Sequence, residues 1–187
     1  ILNDDGSMAR LPDLIKFSKK HGIKIGTIAD LIEYRSKKEK LIKKISQEEL
    51  STEFGMMKLI VYSDLLSKNT HLAFVKGTIQ KDDEVIVRVH EPLSILDFVS
   101  KETPHSWPHL KALKKISDEK NGVVIFLNYN ESQNNITSKL NHENITLKKS
   151  TDLRSYGIGS QILVDIGVSK MKLLAAPRKM PSMAGYG

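Results

Sequence analysis

Residues 152–174, DLRSYGIGSQILVDIGVSKMKLL, constrain the fold more than any other stretch, because polar side chains and glycines lead straight into an apolar helical run and then a strand. Ile158, Ile162, Leu163 and Ile166 recur at helical spacing and Gly167 supplies the stop, while residues 168–174 alternate apolar with polar or charged side chains, as a half-buried strand does. Asp152 and Arg154 therefore stand just before or within the first turn of a helix. Free backbone N–H groups and the positive end of the helix dipole converge there, so the place suits a phosphate or another anion, and Arg154 adds a planar fork of donors. The alternative is purely structural: Asp152 as an N-cap, Arg154 as a surface ion-pair partner and the glycines as turn formers.

The rest of the chain reads as a mixed α+β protein. Asn3-Asp-Asp-Gly6 has turn chemistry, and Pro12 with Asp13 suits the first turn of a helix whose stripe begins at Leu14, Ile15 and Phe17. Residues 23–27 are a strand candidate, and Thr27 caps a helix through Ile28, Leu31 and Ile32 that is expected to run toward the basic 36–44 stretch. A boundary between two parts is expected near residues 40–50, where Gln47, Glu48, Glu49, Ser51 and Thr52 interrupt the apolar pattern. Strands are expected at 57–62, 71–76, 78–80 and 84–90, with a turn at 81–83. Leu110, Leu113 and Ile116 mark a helix after Pro108, and residues 122–127 form a buried-strand run before an Asn-rich segment.

At 187 residues, 40% hydrophobic and 27% charged, the chain has room for one domain, or one domain with an appended piece. No apolar run approaches the ~20 residues of a membrane span, and a cytoplasmic location without a membrane partner is expected. The net charge of +7 favours anionic partners. Much of it sits in Lys37, Lys38, Lys40, Lys43, Lys44, Lys114, Lys115, Lys148 and Lys149, which read as solvated faces. Sparse aromatics and the lack of a recognition motif argue against nucleic acid. The chain contains no cysteine, which excludes disulfides and every thiolate metal site. Ile1 opens without an initiator Met or a basic n-region, and both chain ends read as cuts.

The 152–163 segment resembles the Asp-x-Arg-x-Tyr-Gly-x-Gly-x-Gln-Ile-Leu signature of GTP cyclohydrolase II, which opens the guanine ring at the start of riboflavin biosynthesis. The resemblance continues in Arg88-Val-His90, Leu173-Leu174, Pro177-Arg178-Lys179 and Gly185-Tyr-Gly187. Residues 3–10, with Pro12-Asp13, His21 and residues 27–31, resemble the C-terminal end of 3,4-dihydroxy-2-butanone 4-phosphate synthase. The substrate- and magnesium-binding residues of that family lie upstream of the position of Ile1. Together the resemblances imply a synthase tail and linker helix over 1–45, built as helix, strand and helix. A cyclohydrolase II-like mixed sheet with flanking helices follows over 46–187, truncated at its C-terminus. They also imply a homodimer.

The resemblance makes the missing chemistry visible. Cyclohydrolases of this family hold zinc with three cysteines, and the synthase family uses magnesium; residues 91–109 here contain no cysteine, so no resident metal is expected. Asp97, His105 and His109 are the one substitute set, with Pro104 and Pro108 interrupting a helix between the histidines. Otherwise His105 and His109 read as exposed or loop-capping residues beside Trp107, and His90 as a hydrogen-bonded structural histidine. Asp4 and Asp5 read as turn formers rather than a magnesium pair. The family's Arg-Gln-Glu-Gly-Arg nucleotide loop is replaced by residues 128–135, in which Glu131 is the sole survivor, and neither Tyr129 nor Tyr156 replaces the catalytic tyrosine. Asp152 and Arg154 match the family's catalytic acid and arginine. Lys179 is similar to a lysine near the phosphates, and Ala175 and Ala176 stand where the family has Thr and Asn. The expectation is a degenerate module that takes GTP, pyrophosphate or phosphate through Arg154, Lys179 and Glu131, is inactive alone, and is kept for binding, dimerisation or regulation. The alternative is an active cyclohydrolase that releases formate and pyrophosphate from GTP through a substitute metal site.

Overall fold

The computed structural model describes residues 1–90, 107–128 and 153–176, with the backbone alone at 36–37 and 153–155. Near the N-terminus, Asp5 closes a turn in which its Oδ1 accepts the Ser7 N–H at 2.9 Å and the Ser7 hydroxyl at 2.6 Å. Those bonds hold the Asp5 carboxyl below its usual range and occupy it locally, as a turn former. Helix α1 (Leu11–His21) starts with Pro12 in its first turn, and Asp13 accepts the Arg10 N–H at 3.0 Å. Helix α2 (Ile28–Lys38) has the expected cap: Thr27 Oγ1 accepts the Asp30 N–H at 3.0 Å and Asp30 Oδ2 accepts the Thr27 N–H at 2.8 Å.

One expectation for this part is corrected. Residues 23–27 are an irregular connection, because no described strand lies alongside to pair with them. Helix α2 runs into the basic 36–44 stretch as expected and ends within it at Lys38, since Glu39 is extended and the backbone from Ile42 is already paired in a sheet. The polar run 47–52 belongs to that same strand.

The sheet contains β1 (Ile42–Thr52), β2 (Gly55–Asp64), β3 (Thr70–Lys76), β4 (Glu84–His90), β5 (Gly122–Phe126) and β6 (Lys170–Leu173). Their order is β1-β2-β3-β5-β4-β6. Each neighbouring pair among the first four is antiparallel, whereas β4 runs parallel to both β5 and β6. Residues 78–80, expected as a strand, are an irregular approach to the turn before β4. Two helices flank the sheet, α3 (His109–Ser117) and α4 (Leu153–Ile166). The protein is thus α+β with a mixed sheet and flanking helices, as expected.

Each helix covers one face, and strand alternation sorts the side chains between them. Ile158, Ile162 and Leu163 of α4 pack with Ile60, Tyr62, Ala73, Val75, Val85, Val87, Val123, Ile125 and Leu127. On the other face Leu113 and Ile116 of α3 meet Met57, Val124 and Phe126. Helix α4 ends as its sequence requires: Gly167 takes φ 97°, and the Val168 N–H bonds back to the Leu163 carbonyl at 2.9 Å. Gly77, at φ 69°, is dictated by a close approach as well, because the backbone carbonyl of Lys120 occupies the place a Cβ would take. Among the described residues no helix is long and apolar enough to cross a membrane.

Ile162 has no exposed surface. Ile162→Ala is expected to destabilise the protein by about 2–5 kcal/mol in urea unfolding, through lost burial and the cavity left behind.

Tyr62 supplies a pH test. Its hydroxyl donates to Asp165 Oδ2 at 2.7 Å, and burial, then that hydrogen bond and the carboxylate charge, push the phenol well above its ordinary value. The folded state keeps a proton that the unfolded tyrosine releases near pH ~10, so the contribution is present below that pH and declines as pH rises above it. Urea midpoints measured from pH 8 to 11 are expected to fall more steeply for the wild type than for Tyr62→Phe.

Candidate anion site at the ends of the parallel strands

Three elements meet where β4 and β5 end. The two strands run side by side with His90 opposite Phe126, and the Leu127 N–H bonds to the His90 carbonyl at 3.0 Å. Helix α4 leads into β6, which is parallel to β4, so the helix descends across the sheet and its N-terminal half lies over these strand ends. The contact at Gly159 fixes the placement: a Cβ there would lie 3.8 Å from Val89 and 3.9 Å from Leu127. Arg154 therefore occupies the first turn of a helix aimed over the carboxyl ends of parallel strands, the usual position of ligands in such sheets.

Buried side chains hold the segments that leave this place. His71 is fully buried, and its Nδ1 accepts the Asn128 N–H at 3.2 Å, which fixes the start of the segment that carries Glu131. Arg88, 7% exposed, donates from Nη1 to the Leu174 carbonyl at 3.0 Å, and the Leu174 N–H bonds to the Val87 carbonyl at 2.8 Å. That pair fixes the exit of β6 into Ala175 and Ala176. Arg88 is therefore a positioning residue on the α3 face.

Asp152, Glu131, Lys179, Asp97, His105 and Tyr129 lie outside the described residues, as does the side chain of Arg154. The structure thus places the helix turn, the strand ends and the segment exits, and Tyr156 half-buried on α4. His109 corrects the sequence reading: it is not an exposed or loop-capping residue but the buried first residue of α3, 5.5 Å in ring centroids from His90 and 6.1 Å from Phe126. Lys111, not a histidine, lies over the Trp107 ring. The donor set does not suit a cyclohydrolase zinc. The chain has no thiolate, and among the described residues no three His, Asp or Glu side chains converge. A largely apolar groove of about 400 Å³ on the α3 face is lined by Phe54, Leu72, Phe74, Leu110, Leu113 and Phe126, together with Thr52, Glu53 and His109.

The signature helix also does work that sequence reading missed. Gln161 Oε1 accepts the Leu41 N–H at 2.8 Å and its Nε2 donates to the Glu39 carbonyl at 2.7 Å, so one amide clamps the link between α2 and β1. Arg35 holds the Glu39 carboxylate with two bonds of 2.9 and 2.8 Å, which keep its carboxyl below the usual range. Asp165, one turn on, receives Tyr62 and pairs with Lys44 at 3.4 Å. Spacing carried a signal for these roles, since Gln161 and Asp165 are four apart on one helix face.

The family model of GTP cyclohydrolase II matches residues 43–187, most of the chain. The chain belongs to the GTP cyclohydrolase II family. Residues 1–34 match the model of 3,4-dihydroxy-2-butanone 4-phosphate synthase. Among relatives, the 3,4-dihydroxy-2-butanone 4-phosphate synthase of Neisseria meningitidis serogroup B is 44% identical over 187 residues, covering 100% of this chain and 52% of that protein. The riboflavin biosynthesis protein RibBA of Aquifex aeolicus is 39% identical, with 100% and 50% covered. The crystal structure of RibBX, a two-domain 3,4-dihydroxy-2-butanone 4-phosphate synthase from A. baumannii, superimposes with a TM-score of 0.61 at 35% identity, covering 100% of this chain and 50% of that one. The chain thus spans about half the length of these relatives. It is a cyclohydrolase II-like module of the riboflavin-biosynthesis type with a synthase part.

Replacing the clamp gives a local test. In Gln161→Ala the two hydrogen bonds to the link are lost, each worth about 0.5–1.5 kcal/mol. Hydrogen–deuterium exchange of peptides spanning residues 39–43 is expected to quicken roughly tenfold, with β5 amides unchanged.

Proposed function

We propose that this chain is a degenerate GTP cyclohydrolase II-like module of a bifunctional riboflavin-biosynthesis protein, without zinc hydrolase activity and kept for phosphate or nucleotide binding, dimerisation or regulation. The observation that carries the reading is the contrast between a preserved anion-facing helix and a missing metal set. Helix α4 lies over the strand ends with Arg154 in its first turn, while the chain has no cysteine. Zinc in this family activates the water that attacks guanine; the residues present do not supply its ligands, so no hydrolytic step is derived.

In the proposed role, Arg154 and the N–H groups of the first turn of α4 take the phosphate oxygens, and Asp152 caps the turn. Lys179 and Glu131 are proposed to add to the grip; in sequence they follow Leu174 and Asn128, which Arg88 and His71 hold. The ligand is GTP, pyrophosphate or phosphate. The packing of His109 against His90 and Phe126 weighs against the second reading, an active cyclohydrolase with Asp97, His105 and His109 as substitute ligands. The 44% identical Neisseria relative is named for the synthase activity alone, which agrees with the first reading.

Calorimetric titration of pyrophosphate, GTP and a non-hydrolysable analogue, with zinc read by elemental analysis on the same sample, tests the proposal. The expected result is zinc-free binding that Arg154→Ala weakens ten- to a hundredfold, the loss of a charged hydrogen bond of about 1.5–3 kcal/mol. Stoichiometric zinc together with formate release from GTP would overturn it in favour of the active enzyme.

A further inference from the structure

Strand β1 forms one edge of the sheet and, with 11 residues, is its longest strand. Among the described residues no strand pairs with its outer rim, and residues 43–50 are all exposed. They include Ile45 at 56% and Leu50 at 41%, with Met56 on β2 at 54%. Long edges that show apolar side chains invite strand pairing, and sheets ordinarily blunt them.

The charges on this edge are sorted by sign. Lys43 and Lys44 precede its midpoint, and Glu48 and Glu49 follow it. A parallel, in-register neighbour of the same sequence would set like charges together. An antiparallel neighbour related by a two-fold axis can set Lys44 against Glu49.

The β1–β2 register shifts between Lys44 and Ser46, which makes Ile45 the extra residue of a bulge. Lys44 pairs with Tyr62 and Glu49 with Lys58, positions an even number apart on β2, so both face the same side of the sheet. In an unbroken strand, residues five apart would face opposite sides. By the same count Lys43, opposite Ser63, and Leu50, opposite Met57, share the other side. These are the pairs that meet when a two-fold axis passes through Gln47 and Ile45 is left out of the new ladder as it is of the old. Lysines and a bulge repel stray strands, but they spare one that sets Glu49 against Lys44 on both sides of the axis.

We infer that β1 is a self-association edge that pairs antiparallel with β1 of a second copy and joins two six-stranded sheets into one. This deepens the dimer reading of the proposed function, on which it rests, by naming the surface and the register.

The test uses the 187-residue chain and its lack of cysteine. Sedimentation should show a dimer. Glu49→Lys and Lys44→Glu should each weaken it at least tenfold, because each puts like charges opposite across the axis, and an equimolar mixture should recover a heterodimer in which every such pair is again opposite. Under mild oxidation Lys43→Cys/Leu50→Cys should give a covalent dimer. Its two thiols stand roughly 23 Å apart within one strand, so they cannot bridge in the same copy. A monomeric wild type would overturn both this edge and the dimer reading. A wild-type dimer that the charge variants leave intact and the paired cysteines do not cross-link would overturn the edge alone.

Discussion

Burial of the Ile158, Ile162 and Leu163 stripe of α4 against the sheet is the contact on which the other features depend. Strands β4, β5 and β6 run parallel, and parallel strands need cover on both faces. Helix α3 covers one face and α4 the other, reaching from Tyr62 on β2 to Val85 and Val87 on β4. The apolar stripe fixes the rotation of α4 about its own axis. That rotation sets which polar residues point outward, and the crossover into β6 sets which end of the helix lies over the strand ends. The place of the first turn of α4 over the strand ends and the clamp at Gln161 are thus two consequences of one packing decision.

The survival of the signature acquires a physical reason from this arrangement. Gln161 belongs to the family pattern, yet its amide is spent on the backbone of Glu39 and Leu41, and Asp165 a turn later is spent on Tyr62 and Lys44. These residues have a structural reason to be retained whatever the chemistry of the site, because they join the N-terminal helices to the sheet. A sequence match across this helix therefore attests to architecture first.

Much of the fold was legible because local rules and burial agreed. Helix α4 and its stop at Gly167 followed from apolar spacing, the Thr27 cap from its hydrogen-bonding chemistry, and β5 from an uninterrupted apolar run. Reading failed where tertiary context decides. Residues 23–27 have strand-like composition but no neighbour to pair with. Residues 47–52 look like a break because an exposed edge strand has no buried face and so no alternation to detect. His109 follows a proline and precedes a lysine-rich helix, so nothing local marks it as buried; two rings from different strands, His90 and Phe126, make it so. Of the candidate site, the sequence indicated the helix turn and the missing cysteines. It could not indicate His71 or Arg88 as positioning groups, since each acts on backbone 57 and 86 residues away.

The strand order also governs how the chain can assemble during synthesis. The meander β1-β2-β3 is made of neighbours in sequence and can close as it emerges, whereas the stripe that covers its Ile60, Tyr62, Ala73 and Val75 face begins at Ile158. Roughly eighty residues must be translated in between, a wait on the order of 5–15 seconds at ordinary elongation rates. During that interval this apolar face and an exposed eleven-residue edge stand uncovered. Nascent-chain handling would have to protect this half-built intermediate until α4 arrives.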